Sequence, residues 1–180
     1  MPISPAEQAH RAASDAERVA WVDAQDRLLG SLSRVELRER RLIGRGTFIL
    51  LFNPAGELCV HRRTLSKALY PGYWDVAAGG MVDAGEDYAQ AAARELEEEL
   101  GIAGVALRAH GRFFYDAPDN RLWGAVYSAV SAAPLRLQPE EVLEAAFQPL
   151  AEVRARIAGE PFCPDSLQAL RLYLGELPAA

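Results

Sequence analysis

Three glutamates spaced three and four residues apart are the side chains best suited to chemistry in this sequence. On a helical wheel at about 100° per residue, Glu95, Glu98 and Glu99 share one narrow sector. Like charges at these spacings destabilise a helix by roughly 0.2–0.5 kcal/mol per pair. A hard divalent cation would neutralise them and would also bind phosphate groups. The cluster predicts either a metal site for phosphoryl chemistry or an acidic helix face in solvent.

The residues around this cluster fit a ligand site. Gly80 and Gly85 allow tight turns and a close approach of the backbone to a ligand. Glu86 lies near the start of a helix predicted over residues 87–100, where the helix dipole favours a carboxylate. Arg94 offsets only part of the acidic charge. The helix is predicted to pack through its apolar stripe, which comprises Ala89, Ala92, Ala93, Leu96 and Leu100.

The stretch from Gly80 to Ile102, GMVDAGEDYAQAAARELEEELGI, resembles the Nudix box at every specified position. That motif reads Gly-x5-Glu-x7-Arg-Glu-U-x-Glu-Glu-x-Gly-U, where U is an aliphatic residue. Glu86 is the isolated glutamate, and Arg94 begins the Arg-Glu-U segment. The match is very specific because so many fixed positions agree in order.

The resemblance to the Nudix family implies a fold and a cofactor. The fold would be α+β, with a mixed β-sheet sandwiched between α-helices. The cofactor would be Mg²⁺, with Mn²⁺ as a substitute. Its ligands would be the carbonyl of Gly80 and the carboxylates of Glu95, Glu98 and Glu99. Metal-activated water would then attack a phosphorus of a small-molecule diphosphate substrate.

The same resemblance assigns roles to the charged residues of the box. Glu95 and Glu98 would take part in catalysis as well as in metal binding. Arg94 would orient the glutamates through salt bridges, and Glu86 would support the loop and the helix.

The general base varies within the family, and it is either a box glutamate or a glutamate on a later loop. Here QPEEVLE offers three candidates on such a loop, namely Glu140, Glu141 and Glu144. We take Glu141 as the first choice for a base or an additional metal ligand. The alternative is that all three lie in a solvated loop.

The segment RRTLSKALYPGYWD, which precedes the box, resembles Nudix proteins close to isopentenyl diphosphate isomerase. By that resemblance Arg63, or its neighbour Arg62, and Lys67 would contact substrate phosphates. The alternative is a basic exposed loop. The aromatic residues of this segment are more typical of packing than of a substrate wall; they are Tyr70, Tyr73 and Trp74.

An isomerase of that type needs residues that this chain lacks. Its catalytic cysteine precedes the first box glycine, where this chain has Gly79, and a histidine position is taken by Met81. Its second histidine region matches Gly44-Arg45, and its protonating glutamate is replaced near Arg121. Double-bond isomerisation needs an acid and a base, so the sequence favours hydrolysis.

A non-catalytic nucleotide sensor on the same fold is the second alternative. Sensors often lose box glutamates, and none is lost here, which favours an active pyrophosphohydrolase. No residue identifies the substrate. Nucleoside diphosphates or triphosphates lead, and nucleotide sugars, dinucleoside polyphosphates and prenyl diphosphates stay open.

Element patterns predict one Nudix domain over residues 20–178 behind a loosely attached N-terminal arm over residues 1–19. Strands are predicted near residues 21–29, 47–52, 58–63, 75–78, 105–115, 122–130 and 142–147. Further helices are predicted over residues 33–41, 151–158 and 165–174, the last with a cap at Asp165 or Ser166.

Composition narrows the class of protein. The chain has 180 residues, half of them hydrophobic, and a net charge of −6, which disfavours a nucleic-acid polymer as partner. No apolar run approaches the ~20 residues of a membrane span. We expect a cytoplasmic protein, since no signal peptide is recognisable and the two cysteines are far apart. The family resemblance also suggests a homodimer.

Overall fold

The chain folds around a mixed β-sheet with helices on both of its faces, as the sequence predicted. A computed structural model describes residues 3–180. Its elements are α1 (Pro5–Ala16), β1 (Arg18–Val22), β2 (Leu28–Ser33), α2 (Arg34–Glu39), β3 (Ile43–Phe52), β4 (Leu58–Arg63), β5 (Trp74–Asp75), α3 (Tyr88–Leu100), β6 (Arg108–Ala117), β7 (Asn120–Val130), β8 (Val142–Gln148), α4 (Leu150–Ile157) and α5 (Pro164–Tyr173).

Strand β3 is the centre of the sheet. It pairs in parallel with β7 along nine residues, from Gly44 opposite Leu122 to Phe52 opposite Val130. The other pairings are antiparallel, in the order β2-β1-β3-β4-β5 with β6 beside β7 and β8 beside β4. Because β3 is covered on both faces, its residues are almost all apolar and buried rather than alternating.

Alternate residues of β3 contribute to two hydrophobic cores. Phe48 and Leu50 pack with α4 and α5 on one face, whereas Ile49 and Leu51 pack with α3 on the other. The box helix α3 is therefore fixed directly on the central strand.

Helix α3 is delimited by strong local signals. Asp87 caps its start in a capping box with Gln90, and Gly101 ends it in the left-handed conformation at φ 71°. Its buried face differs from the predicted apolar stripe, since Ala89 and Ala93 are exposed. The helix is rotated so that Glu95 and Glu99 lie on the buried face, which comprises Ala91, Ala92, Glu95, Leu96, Glu99 and Leu100.

Most other predicted elements agree with the structure. Ser33 caps α2 in a capping box with Glu36, and residues 53–57 connect β3 to β4 as a hairpin. The predicted cap of α5 at Asp165 or Ser166 is wrong, because Pro164 occupies the first turn and Cys163 is the N-cap. The predicted strand over residues 75–78 is shorter, and beyond β5 only Ala78 pairs, as an isolated bridge to Ile49.

The N-terminal segment is more ordered and better attached than predicted. Ser4 caps α1, which buries none of its side chains. It is held by polar contacts: Glu17 to Arg34 at 3.0 Å, Asp15 to Arg38 at 3.2 Å, and His10 to Glu141 at 2.7 Å. The sheet already begins at Arg18, inside the segment predicted as an arm, and the first two residues of that segment lie outside the described part of the chain.

Two smaller predictions concern the cysteines and the membrane. Cys59 and Cys163 are both buried free thiols. No helix among residues 3–180 has the length and apolar character needed to cross a bilayer.

The carboxylate of Asp26 links the β1–β2 turn to the box helix. Arg45 Nε donates to Asp26 Oδ1 at 2.7 Å, and the hydroxyl of Tyr88, the first residue of α3, contacts both Asp26 oxygens at 3.0 Å. Arg112 also pairs with this carboxylate. Asp26 is almost fully buried and therefore depends on these partners.

We predict that Asp26→Asn lowers the free energy of unfolding by roughly 3 kcal/mol, because it leaves the Arg45 guanidinium without its buried counter-charge. Asparagine tolerates the positive φ of 61° at this position, so the change isolates the charge from the backbone. Denaturant unfolding measures the loss. The control Asp116→Asn, which removes a half-exposed partner of Arg121, should cost less than about 1 kcal/mol.

Candidate metal centre

The carboxylate of Glu99 lies at the middle of the buried face of α3, and its side chain is only 1% exposed. Its Oε2 accepts the backbone N–H of Gly79 at 3.0 Å, while its Oε1 is buried without a hydrogen-bond partner among the described residues. The nearest cation, Lys67 Nζ, lies 3.7 Å from Oε1. Burial raises the pKa of Glu99 well above its usual value. A buried carboxylate oxygen without a hydrogen-bond partner is stabilised by a nearby cation or by protonation.

Glu95 lies one helical turn earlier, with its carboxylate against the backbone of Gly80. A Cβ atom at Gly80 would lie 2.4 Å from Glu95 Oε1, so only glycine leaves room for this carboxylate. The Gly80 carbonyl accepts the backbone N–H of Thr47 at 2.9 Å and, at the longer distance of 3.4 Å, the Thr47 hydroxyl. Burial also raises the pKa of Glu95. The structure thus brings three of the predicted metal ligands together: Gly80, Glu95 and Glu99.

Arg94 holds the carboxylates of the box together. Its Nε and Nη2 each lie 2.9 Å from an oxygen of Glu86, in a bidentate pair. Its Nη1 donates to Glu95 at 2.8 Å and to Glu98 at 3.2 Å. The hydrogen bonds that Arg94 donates to Glu86 raise the pKa of the Arg94 guanidinium and lower the pKa of Glu86. Arg94 thus contacts Glu86, Glu95 and Glu98 at once, while the orienting role of Arg94 and the supporting role of Glu86 stay predictions.

Glu98 differs from the other two glutamates because it faces solvent. Its side chain is 50% exposed, and Arg94 is its ion-pair partner. An exposed carboxylate beside two buried ones can bind an ion from the solvent side or contact a substrate.

Glu141 reaches the same cluster from the loop before β8. It pairs with Lys67, and His10 Nε2 lies 2.7 Å from its Oε1. Burial by itself would raise the pKa of Glu141, but the charge and hydrogen bond of Lys67, together with hydrogen bonds to His10 and Glu99, hold that pKa below its usual value. Of the other two candidates, Glu140 offers its backbone carbonyl to Thr64, and Glu144 is exposed near Arg62. Geometry therefore favours Glu141 among the three.

The two cations predicted to contact phosphate differ in their surroundings. Arg63 is nearly buried, donates to Asp75 at 3.3 Å and contacts the Leu69 carbonyl at 3.1 and 3.3 Å. This arrangement favours a structural role for Arg63, in which it fixes the loop over residues 64–72. Lys67 lies inside the cluster, between Glu99 and Glu141.

The donor set fits a hard dication, although its carboxylates are not arranged as a closed cage. No three carboxylate, imidazole or thiol groups of residues 3–180 are gathered tightly enough to enclose an ion. Arg94 and Lys67 lie between the acidic groups, and their positive charges neutralise part of the negative charge. Glu99 Oε1 has no hydrogen-bond partner among the described residues, and the Glu95 carboxylate lies against the backbone of Gly80. Mg²⁺ and Mn²⁺ prefer such oxygen ligands.

Two adjoining cavities open beside these carboxylates. The smaller, about 50 Å³, contacts Glu95, Glu98 and Glu141. The larger, about 170 Å³, lies under α1 and α2 and reaches Asn120 and Asp165 at its far end. Burial raises the pKa of Asp165 to about 6.

The walls of these cavities include residues that the sequence singled out and one that it did not. Tyr70 lines the larger cavity and its hydroxyl contacts that of Tyr115, whereas Trp74 packs against Arg156 at 4.1 Å. Arg34 lines both cavities. Nothing in the sequence indicated that Arg34 belongs to the site, apart from its place after a helix cap. Contacts with α1, which have no sequence pattern, bring Arg34 to the cavities.

Comparisons with known proteins identify the family. The sequence pattern of the NUDIX domain matches residues 42–169. An uncharacterized Nudix hydrolase of Pseudomonas aeruginosa is 73% identical over 171 residues, covering 92% of this chain and 98% of that protein. The uncharacterized Nudix hydrolase YfcD of Escherichia coli is 41% identical and covers 86% of each chain.

Solved structures share the architecture. The crystal structure of DR0079 from Deinococcus radiodurans superposes with a TM-score of 0.74 at 30% identity, covering 87% of this chain and 99% of that one. The NUDIX domain of Shewanella oneidensis NrtR, complexed with ADP ribose, has a TM-score of 0.60 at 19% identity and covers 82% and 100%. The second likeness shows the fold alone. The complete box, the fold and these relatives establish that the chain belongs to the Nudix hydrolase family.

Proposed function

We propose that this chain is a Mg²⁺-dependent pyrophosphohydrolase, which cleaves a diphosphate linkage in a nucleotide or similar small molecule. The observation that carries the proposal is the buried carboxylate of Glu99, one helical turn from Glu95, with one oxygen that has no hydrogen-bond partner among the described residues. Such a group is costly in a protein without a cation. Its presence within an intact Nudix box supports a metal-dependent enzyme.

The proposed ligands are Glu95, Glu98, Glu99 and the Gly80 carbonyl. When bound, Mg²⁺ or Mn²⁺ would lower the pKa of a coordinated water and offset the negative charge of the phosphates. Arg94 would keep Glu95 and Glu98 in place, since it donates to both. Glu86 would fix Arg94 through its bidentate contact.

Glu141 is the proposed general base, and Lys67 would control its basicity. In the structure Lys67 pairs with Glu141 and so lowers its pKa. A substrate phosphate would compete for the ammonium group of Lys67, because both partners are anionic. Once Lys67 contacts phosphate, the pKa of Glu141 would rise, and its carboxylate would accept a proton from the attacking water more readily.

The substrate is expected to place its diphosphate at the small cavity and the rest of the molecule in the larger one. Tyr70, Asn120 and Asp165 offer polar groups at the far end of that cavity. NrtR, a distant structural neighbour, was solved with ADP ribose, which is a nucleoside diphosphate derivative and belongs in a substrate screen. Nucleoside diphosphates and triphosphates remain the leading class.

Two alternatives are less well supported. A non-catalytic sensor would not need every carboxylate of the box, and all of them are present here. An isomerase would need a cysteine at position 79, but a Cβ atom there would lie 1.9 Å from the Thr47 carbonyl oxygen. The backbone of β3 thus excludes a side chain at Gly79 in this conformation. The predicted cytoplasmic location and homodimer stay predictions.

We predict Mg²⁺-dependent hydrolysis of at least one compound in a panel of nucleoside diphosphates, triphosphates, nucleotide sugars and ADP ribose. Glu98→Gln should lower kcat/KM by roughly 10²–10³-fold, since it removes a carboxylate ligand of the proposed metal ion, whose charge offsets that of the reacting phosphates. Glu97→Gln is the matched control, because Glu97 is exposed on the same helix, and it should retain activity. Equal activity of the wild type and Glu98→Gln would reject this site.

We also predict that Glu99→Gln stabilises the metal-free protein at pH 8 by about 1–3 kcal/mol. The raised pKa of Glu99 means that its ionisation opposes folding, so this cost appears as pH rises above the usual carboxyl range. Thermal unfolding in EDTA measures the gain, with Glu97→Gln as the control. Mg²⁺ should raise the Tm of the wild type but not that of Glu99→Gln. A destabilised Glu99→Gln protein that still responds to Mg²⁺ would contradict the assignment.

Glu141→Gln should lower kcat by roughly 10²–10⁴-fold, as loss of a general base does. Glu144→Gln is the control on the same segment, since Glu144 is exposed near Arg62. The rise of kcat with pH should be lost in Glu141→Gln only. If both variants keep the wild-type pH profile, the base lies elsewhere.

A further inference from the structure

Arg34, the first residue of α2, is placed at the candidate site by the N-terminal helix. Its Nη1 donates to Ser14 Oγ at 2.8 Å, and its Nη2 lies 3.0 Å from Glu17 Oε2. Its backbone N–H also donates to the Glu17 carbonyl at 2.9 Å. All three residues precede the NUDIX match over 42–169. The position of Arg34 is thus a feature of this chain outside the matched domain.

The Nε of Arg34 lacks a partner. It is buried and forms no hydrogen bond with any residue between 3 and 180. A guanidinium carries its N–H donors in a rigid planar fork, so Nε cannot turn away independently of the two Nη groups. A buried, unsatisfied donor on a charged group is unfavourable. An acceptor from outside the chain would satisfy it.

Arg34 also has the right neighbours for a substrate oxygen. It lines the small cavity together with Lys67, Glu95 and Glu98, and it lines the adjoining larger cavity as well. Lys67 and Arg94 each contact two or more carboxylates, whereas Arg34 pairs with the single carboxylate of Glu17. Arg34 is therefore the cation of this cavity with the most unsatisfied capacity for an anion.

We propose that Arg34 is a substrate-binding residue, whose guanidinium donates to an anionic oxygen of the substrate diphosphate, and that α1 fixes its orientation. The proposal rests on the proposed function, because it assumes that a diphosphate occupies the small cavity. It makes the N-terminal helix part of the substrate site. The ligand chemistry is a diphosphate at the junction of the two cavities.

Arg38 provides a closely matched comparison. It lies one turn later on α2, pairs with Asp15 of α1 at 3.2 Å, and is 25% exposed against 23% for Arg34. It lines the larger cavity but not the smaller one. Removing the Arg38 guanidinium deletes its contact with Asp15, and removing that of Arg34 deletes its contacts with Ser14 and Glu17. Both changes therefore loosen the N-terminal segment, but only Arg34 adjoins the carboxylates of the box.

The test compares Arg34→Met with Arg38→Met. Calorimetry would measure the Kd of methylenediphosphonate, a diphosphate analogue that cannot be hydrolysed, in the presence of Mg²⁺. We expect Arg34→Met to weaken binding by roughly 10- to 100-fold, as loss of a charge-assisted hydrogen bond does. Arg38→Met should change it by less than about threefold. In turnover of the screened substrate, Arg34→Met should raise KM more than it lowers kcat.

Thermal unfolding distinguishes an effect on binding from a loosening of α1. We expect the two variants to lower the Tm by similar amounts. Equal weakening of the analogue by the two variants would overturn the proposal, because the effect would then come from loosening α1. Unchanged binding in Arg34→Met would overturn it as well. If the wild type binds and hydrolyses diphosphates and Arg34→Met does so equally well, the role of Arg34 is rejected but the proposed function is not. A wild type that does neither rejects the proposed function, and this inference with it.

Discussion

A carboxylate enclosed between a helix and a sheet is the constraint on which the site depends. Glu99 is on the face of α3 that packs against β3, among the apolar residues of that core. Removing a carboxylate from water is unfavourable unless a cation or hydrogen bonds compensate. The N–H of Gly79 and the ammonium group of Lys67, which lies 3.7 Å away, compensate for the loss of water only in part. Additional positive charge near Glu99 would therefore stabilise its carboxylate further.

The rest of the site can be understood from this need for positive charge. Gly79 and Gly80 lie between β3 and the glutamates, and the absence of Cβ atoms allows backbone and carboxylates to approach closely. Arg94 and Lys67 supply positive charge while leaving Glu99 Oε1 unpaired. An apolar residue in place of Glu99 would give a more stable fold. The presence of a glutamate there is therefore the expected trade-off between stability and function.

Local sequence signals predicted the parts of the fold that depend on near neighbours. The box helix, its charged cluster and the hairpin after β3 followed from periodicity, capping residues and turn residues. The rotation of α3 did not follow, because a wheel of residue types placed Ala89 and Ala93 inside and could not show that the sheet buries Glu95 and Glu99 instead. Hydrophobicity alone misplaces a face that includes buried carboxylates.

Contacts between distant segments account for the remaining differences. Arg63 looked free for phosphate in the sequence, yet it is held by Asp75 and the loop it precedes. The arm was predicted to be loose because its sequence is Ala-rich and polar with a weak helical pattern. Its helix buries no side chain in the structure, and its attachment comes from polar contacts such as Glu17 to Arg34. Single ion pairs of this kind have no sequence periodicity. The surroundings of Arg63 and the position of Arg34 beside the cavities are consequently visible only in the three-dimensional structure.

The most direct test of the account is the position of a bound metal ion. Crystals grown with Mn²⁺ and measured at the manganese absorption edge would locate the ion by its anomalous scattering. We predict a peak within coordination distance of Glu99 Oε1, Glu95 and the Gly80 carbonyl, at about 2.0–2.3 Å from the oxygens. A well-ordered crystal at high Mn²⁺ with no peak there, and with Glu99 still unpaired, would contradict the central claim.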